Sequence, residues 1–99
     1  SEQMTEEYVF FGQQGDIISI EMERASGDLD SLVTLYDSVR KQIAFDDDSG
    51  DDQNALLRNF ELPRDDMYIL VASRYGRETG TTSGAYILTL ELVRAGSRN

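Results

Sequence analysis

The chain has 99 residues, which is enough for one domain built around one hydrophobic core. Its formal net charge of −10 disfavours binding to nucleic acids or to anionic membrane surfaces, because both need a basic face on the protein. No apolar run reaches the roughly 18 residues of a membrane-spanning helix, so insertion into a membrane is not expected.

The composition also restricts the chemistry. The chain contains no cysteine and no histidine. Disulfides, thiol chemistry and a histidine general base are therefore excluded. Only oxygen ligands remain for a metal ion, and oxygen ligands suit calcium or magnesium.

Hydrophobic residues follow a period of two along most of the chain, which is typical of β-strands, and no helical stripe is evident. In chain order the pattern predicts seven strands, at residues 8–11, 17–24, 32–37, 42–45, 55–62, 67–75 and 86–92. Turn residues separate these segments at regular intervals, as they do in all-β sandwiches and barrels. We therefore expect an all-β, antiparallel β-sandwich.

Two strands show the alternation most clearly. In the second strand, Ile18, Ile20 and Met22 point to one side. In the last strand the predicted inner face consists of Tyr86, Leu88, Leu90 and Leu92.

The domain organisation is simple, with no internal repeat and no sign of a second domain. A single domain is predicted at residues 8–93. Residues 1–7 are predicted to form an N-terminal arm, and residues 94–99 a frayed C-terminal tail.

Six short phrases occur in an order that points to a known family. They are YVFF at 8–11, GDIISI at 15–20, GDLDSLVTLYD at 27–37, DDS at 47–49, LPRDDMYILV at 62–71 and GAYILTL at 84–90. Their order and spacing resemble the bacterial pre-peptidase C-terminal domain, including the collagen-binding domains of clostridial collagenases. The resemblance covers residues 6–93, which is nearly the whole chain.

The resemblance implies a jelly-roll-like sandwich of about seven to eight strands. It also implies secretion and attachment to a larger exported protein such as a protease. The domain has no catalytic activity in that family. Some members bind calcium, and some bind collagen or other insoluble polymers.

The chain departs from the family pattern at three places. Asp66 stands where the family has a glycine before the sixth strand, and the turn at residues 38–41 has no glycine. The calcium-binding collagenase domains also use an acidic linker upstream of the first strand, of which only Glu7 has a counterpart here.

An acidic loop at residues 46–52 suggests a cation site. If the third and fourth strands form a hairpin over residues 38–41, Asp37 faces Gln42, Val33 faces Asp46 and Ser31 faces Asp48. That register gathers several carboxylates at the open end of the hairpin, where a calcium ion would relieve their repulsion. The candidate ligands are Asp28, Asp30, Asp46, Asp48 and Asp51. The alternative is that these residues form Asx-turns, which need no metal.

The aromatic residues are mostly expected in the core. Tyr75 is the exception, because it ends the sixth strand between Arg74 and Arg77 and could stack on a polymer or peptide if exposed. The alternative is an ordinary tyrosine at a strand end.

Three functions compete on this basis. The first is a non-catalytic accessory or binding module of a secreted bacterial protein, stabilised by calcium, with the parent enzyme or an extracellular polymer as partner. The second is a structural subunit of an extracellular filament or surface layer, joined by strand exchange and calcium. The third, a small enzyme, is disfavoured because the chain has no histidine and is too short to form a deep cleft over paired carboxylates.

Overall fold

A computed structural model describes residues 5–24, 31–47, 54–74 and 86–96 of the chain. These residues form seven strands: β1 (Thr5–Gly12), β2 (Ile17–Arg24), β3 (Ser31–Tyr36), β4 (Gln42–Asp46), β5 (Ala55–Glu61), β6 (Asp66–Arg74) and β7 (Tyr86–Arg94). All seven predicted strands are present, and their ends differ from the predictions by three residues or fewer.

The strands form two antiparallel sheets. The first sheet has four strands in the order β1-β6-β3-β4, and the second has three in the order β5-β2-β7. Except at the β3–β4 hairpin, each successive strand lies in the opposite sheet. The two sheets form an open sandwich, so the predicted all-β antiparallel class is confirmed.

The core lies between the sheets and is formed by alternate residues of the central strands. Ile20 and Met22 of β2 are completely buried, as are Val33 and Leu35 of β3. Tyr68 of β6 is also fully buried. Each such side chain stabilises the fold by roughly 1.5–3 kcal/mol, because it is removed from water.

Both ends of the described chain are more ordered than the sequence predicts. β1 begins at Thr5, and Glu6 and Glu7 pair with Ala72 and Val71 of β6. The last three residues of the predicted arm thus belong to a sheet. The predicted tail begins inside β7, which ends at Arg94.

The β3–β4 hairpin has part of the predicted register. Val33 faces Asp46 as predicted, but Gln42 pairs with Tyr36 and not with Asp37. The register shifts at a bulge between Leu35 and Tyr36, and the turn before β4 contains Arg40 in the left-handed conformation, with φ of 63°. The predicted pairing of Ser31 with Asp48 lies outside the described residues.

The turn before β6 has Asp66 at the position where the family has a glycine, and its backbone geometry differs from that of a glycine turn. Asp66 is not among the described residues with positive φ, so it does not take the left-handed backbone that a glycine would favour. Its carboxylate instead accepts a hydrogen bond from the backbone N–H of Ser38, at 3.3 Å.

Across the part of the chain described here, no helix is long and apolar enough to cross a membrane.

Candidate binding surface

The outward face of the four-stranded sheet is largely apolar. Inward residues of β3 and β6 are buried, so the residues between them face away from the core. Together with the outward residues of β1 and β4 they form one surface, here called the outer patch: Val9, Phe11, Leu32, Tyr36, Phe45, Met67, Ile69 and Val71.

The strand register makes the outer patch continuous. Val9 pairs with Ile69, which in turn pairs with Tyr36, so these three side chains form one row across three strands. Phe11 and Phe45 lie at opposite edges of the sheet and are 59% and 57% exposed. A contiguous apolar surface of this kind commonly marks an interaction site, because its exposure to water is unfavourable.

One ion pair extends over this face. The guanidinium of Arg40 donates to both carboxylate oxygens of Glu7, at 3.1 and 3.2 Å. Glu7 lies on β1 and Arg40 in the β3–β4 turn, and β6 separates these strands in the sheet. The hydrogen bonds from Arg40, together with its positive charge, lower the pKa of Glu7, while Glu7 raises the pKa of Arg40. Because Glu7 faces Val71, the pair places a polar group on the same face as the outer patch.

A second polar cluster joins the two sheets at their edges. The hydroxyl groups of Tyr8 on β1 and Tyr86 on β7 lie 2.8 Å apart, and both are within hydrogen-bonding distance of a Glu6 carboxylate oxygen. These bonds, chiefly the one from Tyr86, lower the pKa of Glu6. Burial, followed by the contact with Glu6, raises the pKa of Tyr86. The cluster holds β1 close to the start of β7.

A buried carboxylate organises the β3–β4 turn. Asp37 is 1% exposed and accepts hydrogen bonds from the backbone N–H groups of Val39 and Lys41, at 3.1 and 2.9 Å. Its second oxygen accepts a hydrogen bond from Arg64 at 2.8 Å. Asp37 therefore fixes the loop that presents Arg40 to Glu7.

Of the five predicted calcium ligands, only Asp46 lies within the described residues; Asp28, Asp30, Asp48 and Asp51 lie outside them. The Asp46 carboxylate accepts a hydrogen bond from the backbone N–H of Leu56 at 2.9 Å, which links the two sheets. Among the described residues, no group of three or more acidic side chains could hold a metal ion. Tyr75, the predicted stacking residue, also lies outside the described residues.

One buried atom lies at the same end of the hairpin as Asp46. The Ser31 hydroxyl is fully buried and is the only buried side-chain polar atom, in the part of the chain that the structure describes, with no hydrogen-bond partner. Val33 faces Asp46, and Ser31 lies two residues along β3 on the same face of the sheet. An unpaired buried hydroxyl of this kind calls for a water molecule or an ion.

Sequence reasoning missed the outer patch, although a signal for it was present. The segment at 67–71 is an unbroken apolar run, and such a run in a strand places hydrophobic side chains on both faces of the sheet. The YVFF phrase of β1 carries the same signal at residues 8–11.

Comparison with protein-family models gives no match to this chain, and comparison with curated proteins gives none either.

Proposed function

We propose that this chain is a non-catalytic binding module of a secreted bacterial protein, of the pre-peptidase C-terminal type, and that it engages its partner through the outer patch. The exposure of the outer patch is the observation that carries the proposal. Exposed aromatic side chains such as Phe11 and Phe45 are suited to bury large areas against a partner at small entropic cost.

The chemistry of the partner follows from the surroundings of the outer patch. The chain carries ten more negative than positive charges. An apolar surface on such a chain favours a partner that presents apolar groups together with basic or neutral ones. An extracellular protein polymer or the parent enzyme fits this description, whereas a polyanion does not.

A co-sedimentation assay with insoluble polymers tests the proposal, with fibrillar collagen as the first probe and chitin and cellulose as further probes. We expect the double variant Phe11→Ser/Phe45→Ser to bind at least about tenfold more weakly, because both aromatic anchors are lost. The control is Val39→Ser, which removes a 78% exposed apolar side chain in the β3–β4 turn, outside the outer patch and outside β7. Unchanged binding by the Phe11→Ser/Phe45→Ser variant would contradict the proposal, and absence of binding to all three polymers would exclude them as the partner.

We propose further that calcium stabilises the module at the open end of the β3–β4 hairpin. The clustering of acids in the sequence supports this, as does the unpaired Ser31 hydroxyl at the same end of the hairpin as Asp46. Hard oxygen donors of this kind match the preference of calcium. Asp46 and Ser31 would contribute ligands, and the metal would neutralise the repulsion among the acids of the loop.

A structural subunit remains the second candidate, because edge strands such as β7 offer free backbone groups to another chain. That function requires polymerisation in the presence of calcium. Light scattering with and without about 1 mM calcium distinguishes the two functions, since a binding module stays small in both conditions.

A further inference from the structure

β7 is an edge strand with unusual exposure. It pairs with β2 along one side, and within the described residues no strand pairs with its other side. Nine residues form it, and four of its large apolar side chains are exposed: Ile87, Leu90, Leu92 and Val93. A long apolar edge strand offers unpaired N–H and C=O groups to another strand.

Two of these exposed side chains point toward the inside of the sandwich. Leu90 pairs with Ile20 and Leu92 with Ile18, and paired residues share one face of a sheet. Ile20 and Ile18 are buried, yet Leu90 is 42% and Leu92 is 57% exposed. The four-stranded sheet therefore leaves this part of β7 uncovered.

The other edges are less suited to pairing. β4 has only five residues. β5 is interrupted by a bulge in which Asn59 has φ of 54°. β1 carries the adjacent acids Glu6 and Glu7. β7 has one acid, Glu91, and no bulge between Tyr86 and Leu92.

The sequence of β7 is nearly symmetric about its midpoint. Leu90 is the central residue of Tyr86–Arg94, with Leu88 and Leu92 at equal distances on one face. The strand has a bulge at Val93, so the regular symmetric stretch runs from Leu88 to Leu92. A strand with this pattern can pair with a second copy of itself so that apolar residues meet apolar residues.

We propose that two copies of this chain pair antiparallel through β7, in a two-fold dimer with Leu90 opposite Leu90 of the second copy. In this register Leu88 of each copy faces Leu92 of the other, and the bulge-free stretch from Leu88 to Leu92 pairs along its whole length. The two three-stranded sheets become one six-stranded sheet, and the exposed leucines of both copies cover each other.

The single acid of the strand selects this register. A shift by one residue is excluded, because residues that face each other across a two-fold axis must share one face of the sheet. A shift of the axis to Glu91 places two carboxylates directly opposite each other, which is destabilising. A shift of the axis to Thr89 places the carboxylate of Glu91 opposite the apolar side chain of Ile87, which cannot form a hydrogen bond with it. With the axis at Leu90, Glu91 faces Thr89, whose hydroxyl can donate to it.

Disulfide formation tests the register directly, because the chain has no cysteine of its own. Residues that face each other in antiparallel strands have Cα atoms about 4.5–5.5 Å apart, within the range of a disulfide. We expect Leu90→Cys to oxidise to a covalent dimer at least about tenfold faster than Leu88→Cys, which faces residue 92. The double variant Leu88→Cys/Leu92→Cys should again form a covalent dimer. Equal rates for the two single variants would overturn the proposal.

Sedimentation equilibrium tests the dimer without covalent capture. Leu90→Arg places two positive charges at the axis and should yield a monomer. The matched control Phe45→Arg changes the outer patch on the opposite sheet and should leave the dimer intact, so failure of the dimer is distinguishable from failure of the proposed function.

Because both copies are strongly acidic, raising the salt concentration from about 0.05 to about 0.5 M should strengthen the dimer. A wild-type chain that stays monomeric at both salt concentrations, up to the highest soluble concentration, would refute the proposal.

Discussion

The carboxylate of Asp16 accepts a hydrogen bond from the backbone N–H of Gly96 at 2.8 Å, across 80 residues of sequence. Asp16 lies in the turn between β1 and β2, and Gly96 follows the end of β7. The second carboxylate oxygen accepts the backbone N–H of Gln13 at 3.0 Å. A single buried side chain thus fixes both a turn and the end of the edge strand on which the proposed dimer depends.

Replacing Asp16 with alanine removes both hydrogen bonds and leaves two backbone N–H groups without this acceptor. We expect the free energy of unfolding to fall by about 2–3 kcal/mol, since hydrogen bonds to charged acceptors are stronger than neutral ones. Urea denaturation measures this change. The control is Asp65→Ala, an exposed carboxylate that accepts a single backbone N–H, from Gln14.

Gly96 provides a second measure of the same contact. A Cβ atom at this position would lie 2.8 Å from the carbonyl carbon of Gly15 and would press on the carbonyl oxygen of Gln14. Gly96→Ala should therefore destabilise the fold, and combined with Asp16→Ala it should cost less than the sum of the two. Strict additivity would show that the contact contributes little in solution.

Asp37 combines two roles that substitutions can separate. Asp37→Ala loses the two turn N–H groups and the Arg64 guanidinium, and we expect a loss of about 3 kcal/mol in the free energy of unfolding. Asp37→Asn keeps an oxygen for the turn but places an amide NH2 group toward Arg64, so it loses only the ion pair and hydrogen bond with Arg64 and should cost about half as much. Chemical denaturation of the two variants gives both values. Equal losses would show that the ion pair, and not the turn, makes the larger contribution.

The alternation of side chains was sufficient to predict the seven strands and the Val33–Asp46 pairing, because both depend on burial of one face. The bulge beside Tyr36 was not predictable in this way. The turn that follows Tyr36 also contains Arg40 with a left-handed backbone that is usually reserved for glycine, and Asp37 and Glu7 make hydrogen bonds to this turn.

The start of β1 was missed for a related reason. Glu6 and Glu7 are polar and break the aromatic pattern, but their positions are determined by pairing with β6 and by Tyr86 and Arg40. Contacts between distant residues of this kind leave no local sequence signal. The outer patch was missed because apolar residues were assigned to the core, although a sheet has two faces.

The Glu7–Arg40 pair predicts a specific dependence of stability on pH. Arg40 lowers the pKa of Glu7 in the folded chain, so the pair stabilises the fold above the ordinary glutamate pKa of about 4.3. This contribution is lost as the pH falls through the lower, folded pKa. Glu7→Gln should therefore lower the Tm at pH 7 and leave it nearly unchanged near pH 2.

A double-mutant cycle provides the control for this pair. Arg40→Gln should show the same pH pattern as Glu7→Gln, and the double variant should lose little more than either single variant. The coupling should also decrease at high salt, because both groups are solvent-exposed. A Tm difference that persists unchanged at low pH would contradict the assignment.

Calcium binding at the hairpin end predicts a shift in melting temperature. With a Kd of about 0.1 mM, calcium at about 1 mM would raise the free energy of unfolding by about 1.4 kcal/mol. For a domain of this size that corresponds to a Tm increase of about 5–10 °C.

The double variant Asp46→Asn/Asp48→Asn should abolish this increase in Tm. The asparagine at position 46 keeps an amide oxygen that can accept the hydrogen bond from the N–H of Leu56. Glu21→Gln/Glu23→Gln removes the same charge from β2 and should leave the increase intact. An increase that survives in the asparagine variant would move the site toward the N-terminal arm, and the absence of any increase in the wild type would exclude calcium as a stabiliser.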